Sequence, residues 1–173
     1  MTSSTGKFIN YPKTVLREFY RINKLKSLRD RKIKSSNNWN KLNNKVKLAY
    51  ERFENLKRDF IEQTTTRLCR HNNIAIEDLT NAKIKMSNKN RRRLVQINPL
   101  SRFTDTLKWK CQKFGTDLYK VNLAYTSQTC SCCGNIVKLT LKDRIFKCSC
   151  GNTMDRDINA AINIAAKTVR SSL

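Results

Sequence analysis

Two cysteine pairs constrain this chain more than any other feature: TSQTCSCCG at 126–134 and FKCSCG at 146–151. Cys130 and Cys133 make a C-x-x-C, Cys148 and Cys150 a C-x-C, and 14 residues, Gly134 to Lys147, lie between the pairs. Two thiolate pairs at the tips of facing hairpins supply four soft tetrahedral donors, the set a structural zinc ion prefers. A glycine follows each pair, Gly134 and Gly151, where the chain has to turn tightly behind a knuckle. Between them, IVKLTLKDRIF suits two short strands with a turn near Lys142–Asp143. The second pair is one residue shorter than usual and calls for a different local turn. Cys132 is a spare thiol beside the first pair. Five of the seven cysteines fall between 130 and 150, and such clustering favours metal over oxidation, the alternative being a buried or redox-reactive thiol cluster. Four thiolates fill the tetrahedron, so the zinc read here is structural and supplies most of the folding free energy of a segment too small for its own core.

The charge balance sets the partner class. Lys and Arg outnumber Asp and Glu by 36 to 13, a formal net charge of +23. Such a surface favours a polyanion, because each phosphate it neutralises releases condensed counterions. Nucleic acid is therefore the expected partner, ahead of an acidic protein or a membrane surface. No apolar run approaches the roughly 20 residues of a membrane span, and MTSSTGKFINYPK lacks the apolar core of a secretory signal. The expected location is intracellular, in the reducing cytoplasm or nucleus, with the cysteines as thiols.

Along the chain, residues 1–11 read as extended or loose, and Pro12 suits a helix start. Residues 12–31 read as a basic helix with Leu16, Phe19 and Tyr20 near one face. KSSNN at 34–38 offers turn and N-cap chemistry before a longer helix to about Arg70. Its apolar positions, Trp39, Leu42, Val46, Ala49, Phe53, Leu56 and Phe60, alternate three and four apart. That spacing predicts one packed stripe and an antiparallel hairpin with the preceding helix. HNN at 71–73 breaks the pattern; the lone histidine, His71, reads as helix-terminal rather than as a ligand. NIAIEDL at 73–79 reads as a short buried strand, and 80–99, with Arg91, Arg92 and Arg93, as a basic loop. A helix over 100–114 would set Leu100, Phe103, Leu107, Cys111 and Phe114 on one face and end at Gly115. A strand at 117–124 follows, and after the cysteines DINAAINIAAKTV at 157–169 closes as a helix.

Two acids bracket the cysteine module: Glu77 at the end of an apolar strand and Asp157 at the start of the last helix. Singly, each has an ordinary reading, a strand end and an N-cap. Together they acquire another, because phosphodiester hydrolysis by paired Mg²⁺ needs several carboxylates converging on ions about 4 Å apart. IAIEDL, the basic helix pair, PLSRF, YTSQTCSCCG and FKCSCG…DRDINAAINI stand here in the order found in the TnpB/OrfB proteins of insertion sequences. The chain resembles that family over nearly its whole length. These are RNA-guided DNA nucleases related to type V CRISPR effectors and Fanzor proteins.

The resemblance implies an α+β fold: an RNase H-like (RuvC) domain carrying a basic helical hairpin and an inserted zinc ribbon. It implies catalytic roles for Glu77 and Asp157, with Asp155 as a further acid in the motif of Arg156 and Asn159, and zinc on Cys130, Cys133, Cys148 and Cys150. The implied organisation is a helical hairpin at 1–70, a strand–loop–helix–strand segment at 71–125, the zinc ribbon at 126–151, and the final motif and helix at 152–173. The family's first catalytic aspartate sits on a strand upstream of the helix pair, and the first acid here is Glu18, inside a helix. The domain is therefore expected to be incomplete, a C-terminal part that binds DNA, with guide RNA the further partner the resemblance implies, but is not a competent nuclease alone. Mg²⁺ would matter only to an active site, and the remaining part would come from a separate chain. An open sheet edge would leave the isolated chain marginally stable. The alternative function is a non-enzymatic zinc-ribbon DNA-binding regulator derived from such a nuclease.

Overall fold

The structure is a computed structural model that describes residues 2–70, 73–77, 100–121, 125–140 and 143–170. The expectations for His71 and the 80–99 loop lie outside the described residues. The elements are α1 (Lys13–Asp30), α2 (Asn37–Leu68), β1 (Asn73–Glu77), α3 (Leu100–Phe114), β2 (Asp117–Val121), β3 (Ile145–Lys147), β4 (Thr153–Asp155) and α4 (Arg156–Arg170). Helices and two small sheets alternate, an α+β fold, in two compact units.

One unit contains 11–70 and 100–110. Pro12 precedes α1, and the Ser36 hydroxyl caps α2 by accepting the Trp39 N–H at 3.2 Å. The two helices pack on each other around Val15, Ile22, Ala49 and Phe53, with Tyr11, Phe19, Leu25 and Leu56 at the margin. The face of α1 differs in part from the one expected, since Phe19 packs against Phe53 as read but Leu16 and Tyr20 do not face the core. Val15, Glu18 and Ile22 turn inward, while Leu16 and Tyr20 are exposed. Both sets have helical spacing, and only contact with α2 chooses between them.

The stripe of α2 also rotates along its length: Val46, Ala49 and Phe53 are buried, then Lys57 and Ile61 rather than Leu56 and Phe60. A straight helix drifts about 20° per heptad against a 3.5-residue repeat, in the sense that carries its buried seam toward later positions along the chain. Burying Lys57 is tolerable because its ammonium reaches Glu54 at 2.7 Å and lies 4.5 Å from the Phe53 ring centre. Glu18 is buried too, paired with Arg21 at 3.2 Å and Arg52 at 3.5 Å. On α3, Phe103 and Leu107 are buried but Leu100 is exposed. Lys110, also buried, donates to the Glu62 carbonyl at 2.7 Å and the Thr66 hydroxyl at 2.6 Å, and pairs with the Glu62 carboxylate.

The other unit contains 2–10, 73–77, 111–121, 125–140 and 143–170. Residues 2–8 are not loose: Thr2 and Phe8 bridge antiparallel around a turn at Gly6, whose φ is +78°. β1 and β2 run parallel, in a register that sets Ile74 beside Leu118 and Glu77 beside Val121. Parallel neighbours need a crossover between them, here the segment that contains α3. α4 packs against β1 and β2 and also against β3 and β4, so one helix serves both small sheets. Among the described residues, no helix is long and apolar enough to cross a membrane.

Candidate metal centre and carboxylate pair

Each cysteine pair is closed by its own hairpin. Around the first, Thr129 bridges Ile136 and the Val137 N–H donates to the Gln128 carbonyl; the Cys130 N–H reaches the Asn135 carbonyl at 2.8 Å. Around the second, Phe146 pairs with Met154 and the Cys148 N–H reaches the Asn152 carbonyl at 2.9 Å. The shorter spacing is absorbed in the turn. The Gly134 N–H bonds back four residues to Cys130, the Gly151 N–H only three to Cys148. Gly134 and Gly151 take φ of +79° and +89°, the left-handed region that a side chain would strain. The intervening segment departs from the expected pair of strands, since β3 takes β4 as its partner and Lys138–Thr140 is not in a strand. Asp143 accepts the Thr140 N–H and hydroxyl, and these bonds hold its carboxyl below the usual range; Lys142 of the expected turn lies outside the described residues.

The hairpins bring the Sγ atoms of Cys130, Cys133, Cys148 and Cys150 within 4.8 Å of one another. Cys130 to Cys150 is 3.7 Å and Cys133 to Cys148 is 3.6 Å. A tetrahedral metal with metal–sulfur bonds of ~2.3 Å has a sulfur–sulfur edge of ~3.8 Å, so two edges already stand at metal-bound length. Those separations are far beyond a disulfide bond of ~2.05 Å. Cys132 is exposed and is not one of the four. The backbone N–H of Cys133, with the Asn152 amide assisting against burial, lowers the Cys130 thiol to about 6. The Asn152 N–H alone would lower Cys150, but the neighbouring Cys133 and Cys148 sulfurs outweigh it and push that thiol to about 12. Four thiolates this close resist joint ionisation unless a cation sits among them. The cluster can hold a metal ion.

Glu77 ends β1, and Asp157 lies in the first turn of α4. The tertiary fold brings them together. Burial raises the Glu77 carboxyl above its usual range, the adjacent Asp157 carboxylate raises it further, and the Thr126 hydroxyl bonded to it opposes them. Asp157 is exposed, with the Arg156 guanidinium at 3.8 Å. Asp155 occupies the capping position. Its carboxylate accepts the N–H of Asp157 at 2.8 Å and of Ile158 at 3.3 Å, so the N-cap is Asp155 and the Asp157 carboxylate remains available. Among the described residues, no third acid or histidine joins Glu77 and Asp157 in a group sized for a metal.

Two asparagines escaped attention in the sequence, Asn159 as a site residue and Asn163 altogether. Asn159 is fully buried, accepts the Ser131 N–H at 3.0 Å and donates to the Thr129 carbonyl at 2.7 Å. Asn163 donates to the carbonyls of Thr126 at 2.9 Å and Thr129 at 2.7 Å. Asn152 donates to the Cys130 sulfur at 3.4 Å. An i, i+4 asparagine pair in the otherwise apolar stretch 158–166 was the signal available beforehand.

These features define an α+β protein with a four-cysteine cluster able to hold a metal ion. A family profile described as probable transposase matches residues 1–93, and one described as Cas12f1-like, TNB domain matches 101–164. A putative RNA-guided DNA endonuclease of Streptomyces pristinaespiralis is 34% identical over 99% of this chain and 43% of its own length. InsQ of Escherichia coli K12, also named a putative RNA-guided DNA endonuclease, is 31% identical over 79% of this chain and 38% of its own. TnpB-like protein L79 of Acanthamoeba polyphaga mimivirus is 39% identical over 50% and 16%. A Cas12f1 chain, solved by cryo-EM in complex with sgRNA and target DNA, superposes with a TM-score of 0.58 at 22% identity, covering 87% of this chain and 42% of that one. The chain belongs to the TnpB/OrfB family of transposon-associated proteins. It spans less than half the length of these curated relatives.

Proposed function

We propose that this chain carries the cysteine-ribbon and carboxylate portion of a RuvC-type, RNase H-like nuclease site and binds DNA, and that a polypeptide of these 173 residues does not cleave DNA alone. The observation that carries the reading is that α4 packs on β1 and sets Asp157, at a helix start, near enough to Glu77, at a strand end far away in sequence, for its charge to raise the Glu77 carboxyl. Two carboxylates within electrostatic reach of each other, one half-buried, are hard oxygen donors of the kind Mg²⁺ takes. Mg²⁺ bound there would stabilise the attacking and leaving oxygens of a phosphodiester. The protein's part is to hold Glu77 through the Thr126 hydroxyl and to present Asp157 from a helix end capped by Asp155. Paired ions need several carboxylates, and two support binding better than turnover.

The four thiolates fit zinc in donor chemistry and spacing, with no coordination position left for a substrate, so the ion's role is to hold the ribbon. A net charge of +23 supports DNA as partner, with guide RNA and a polypeptide supplying further carboxylates as the other components, in an intracellular setting. The test measures DNA binding against salt, and Mg²⁺-dependent cleavage with Asp157→Ala as control. Affinity falling steeply with salt, without cleavage, supports the reading. Cleavage by the chain alone that Asp157→Ala abolishes would overturn the non-cleaving half, and salt-independent binding the DNA half.

A further inference from the structure

We infer that Asn159 and Asn163 are positioning residues that fasten α4 to the first cysteine knuckle, so that metal binding at the four cysteines and the placement of Glu77 and Asp157 are coupled. The inference rests on the proposed function, which supplies the metal and the role of the two acids. A continuous chain of bonds runs between them. Glu77 bonds the Thr126 hydroxyl, and the Thr126 carbonyl accepts from Asn163. Asn163 and Asn159 both donate to the Thr129 carbonyl, each at 2.7 Å, and Asn159 accepts from the Ser131 N–H. Ser131 follows Cys130, and Asp157 stands two residues before Asn159 on the same helix.

The side-chain chemistry is specific. Asn159 uses donor and acceptor at once in a site without solvent, where neither half can be lost without leaving a backbone group unpaired. Aspartate keeps the acceptor but turns the donor into an oxygen facing the Thr129 carbonyl. Alanine at 163 removes both donor contacts. A metal that fixes residues 130–133 thus fixes the backbone that α4 grips. The coupling is reciprocal, so a helix that loses its grip weakens the metal site as well.

The experiment uses the full chain. Zinc affinity is measured by competition with a chromophoric chelator, and amide hydrogen exchange is followed at 73–77, 126–135 and 153–160 with zinc bound and stripped. The variants are Asn159→Asp and Asn163→Ala, with Ala166→Ser on the exposed side of α4 as control. Stripping zinc from the unsubstituted chain should speed exchange at 73–77 and 153–160 as well as in the knuckle. Asn159→Asp should weaken zinc binding about 10- to 100-fold, the range for loss of an outer contact to a metal site, and Asn163→Ala about tenfold. In both variants zinc should restore less protection at 73–77, while Ala166→Ser matches the unsubstituted chain.

Zinc affinities within twofold for both variants, or exchange at 73–77 indifferent to zinc in the unsubstituted chain, would overturn the inference and leave the four-thiolate reading standing. A chain that takes up no zinc removes both. If Asn159→Asp fails to fold, the half-buried Asn163→Ala decides.

Discussion

Replacing the cysteines one at a time separates four ligands from a bystander that sequence spacing cannot exclude. Cys130, Cys133, Cys148 and Cys150 lie within 4.8 Å of one another, and two edges, 3.7 and 3.6 Å, match the ~3.8 Å of a tetrahedral thiolate site. Little rearrangement is needed to bind, so each of the four contributes nearly a full metal–sulfur bond. Loss of an outer contact typically weakens such sites ~10- to 100-fold, and loss of a ligand should reach at least the upper end, about 100-fold. Cys130→Ser should be the most damaging, because that sulfur is buried and also accepts the Asn152 amide. Cys132→Ser should stay within about twofold, its thiol being exposed and outside the cluster. The assay is cobalt substitution: tetrahedral thiolate absorption at one ion per chain, titrated against zinc. Cys132→Ser losing as much affinity as Cys130→Ser, or one ligand variant binding like the unsubstituted chain, would refute the assignment.

Three further outcomes are expected. Asp155→Ala should destabilise the fold by about 1 kcal/mol in denaturant titration, as loss of an N-cap does, whereas Asp157→Asn should leave stability nearly unchanged while weakening Mn²⁺ binding. Glu77→Gln should raise the melting temperature at pH 7 without divalent ions. The folded carboxyl sits above its unfolded value, so the native state holds the proton more tightly; that stability is fully present below the unfolded value, about 4, and is lost as pH rises from there through the raised folded value, so the gap between variant and unsubstituted chain should close as pH falls to about 4. In the helical unit, Glu18→Met should be neutral or stabilising in denaturant titration, since an apolar side chain replaces a buried ion at little packing cost. Removing Arg21 and Arg52 together should destabilise by about 1–3 kcal/mol, leaving the Glu18 carboxylate buried and unpaired.

Most elements were legible in the sequence because their signals are local. Pro12 and Ser36 start helices by backbone chemistry, the heptad spacing of α2 needs no partner to be seen, and glycines after the cysteine pairs announce left-handed turns. The four cysteines could be named from spacing because a metal site tolerates few arrangements. What spacing could not supply was facing. The choice of Val15, Glu18 and Ile22 over Leu16 and Tyr20, and the slide from Leu56 to Lys57, depend on where the opposing helix lies.

The cysteine pairs by themselves determined that this chain gathers four thiols into one place. Only the tertiary structure decided what that gathering is attached to. Asp155 rather than Asp157 caps α4, because the capping oxygen must reach two N–H groups in the next turn. Asn159 and Asn163 read as helix interior in one dimension and prove to be bonded to the knuckle backbone in three. Glu77 and Asp157 come within electrostatic reach only because α4 packs against β1, a long-range contact that no local pattern encodes.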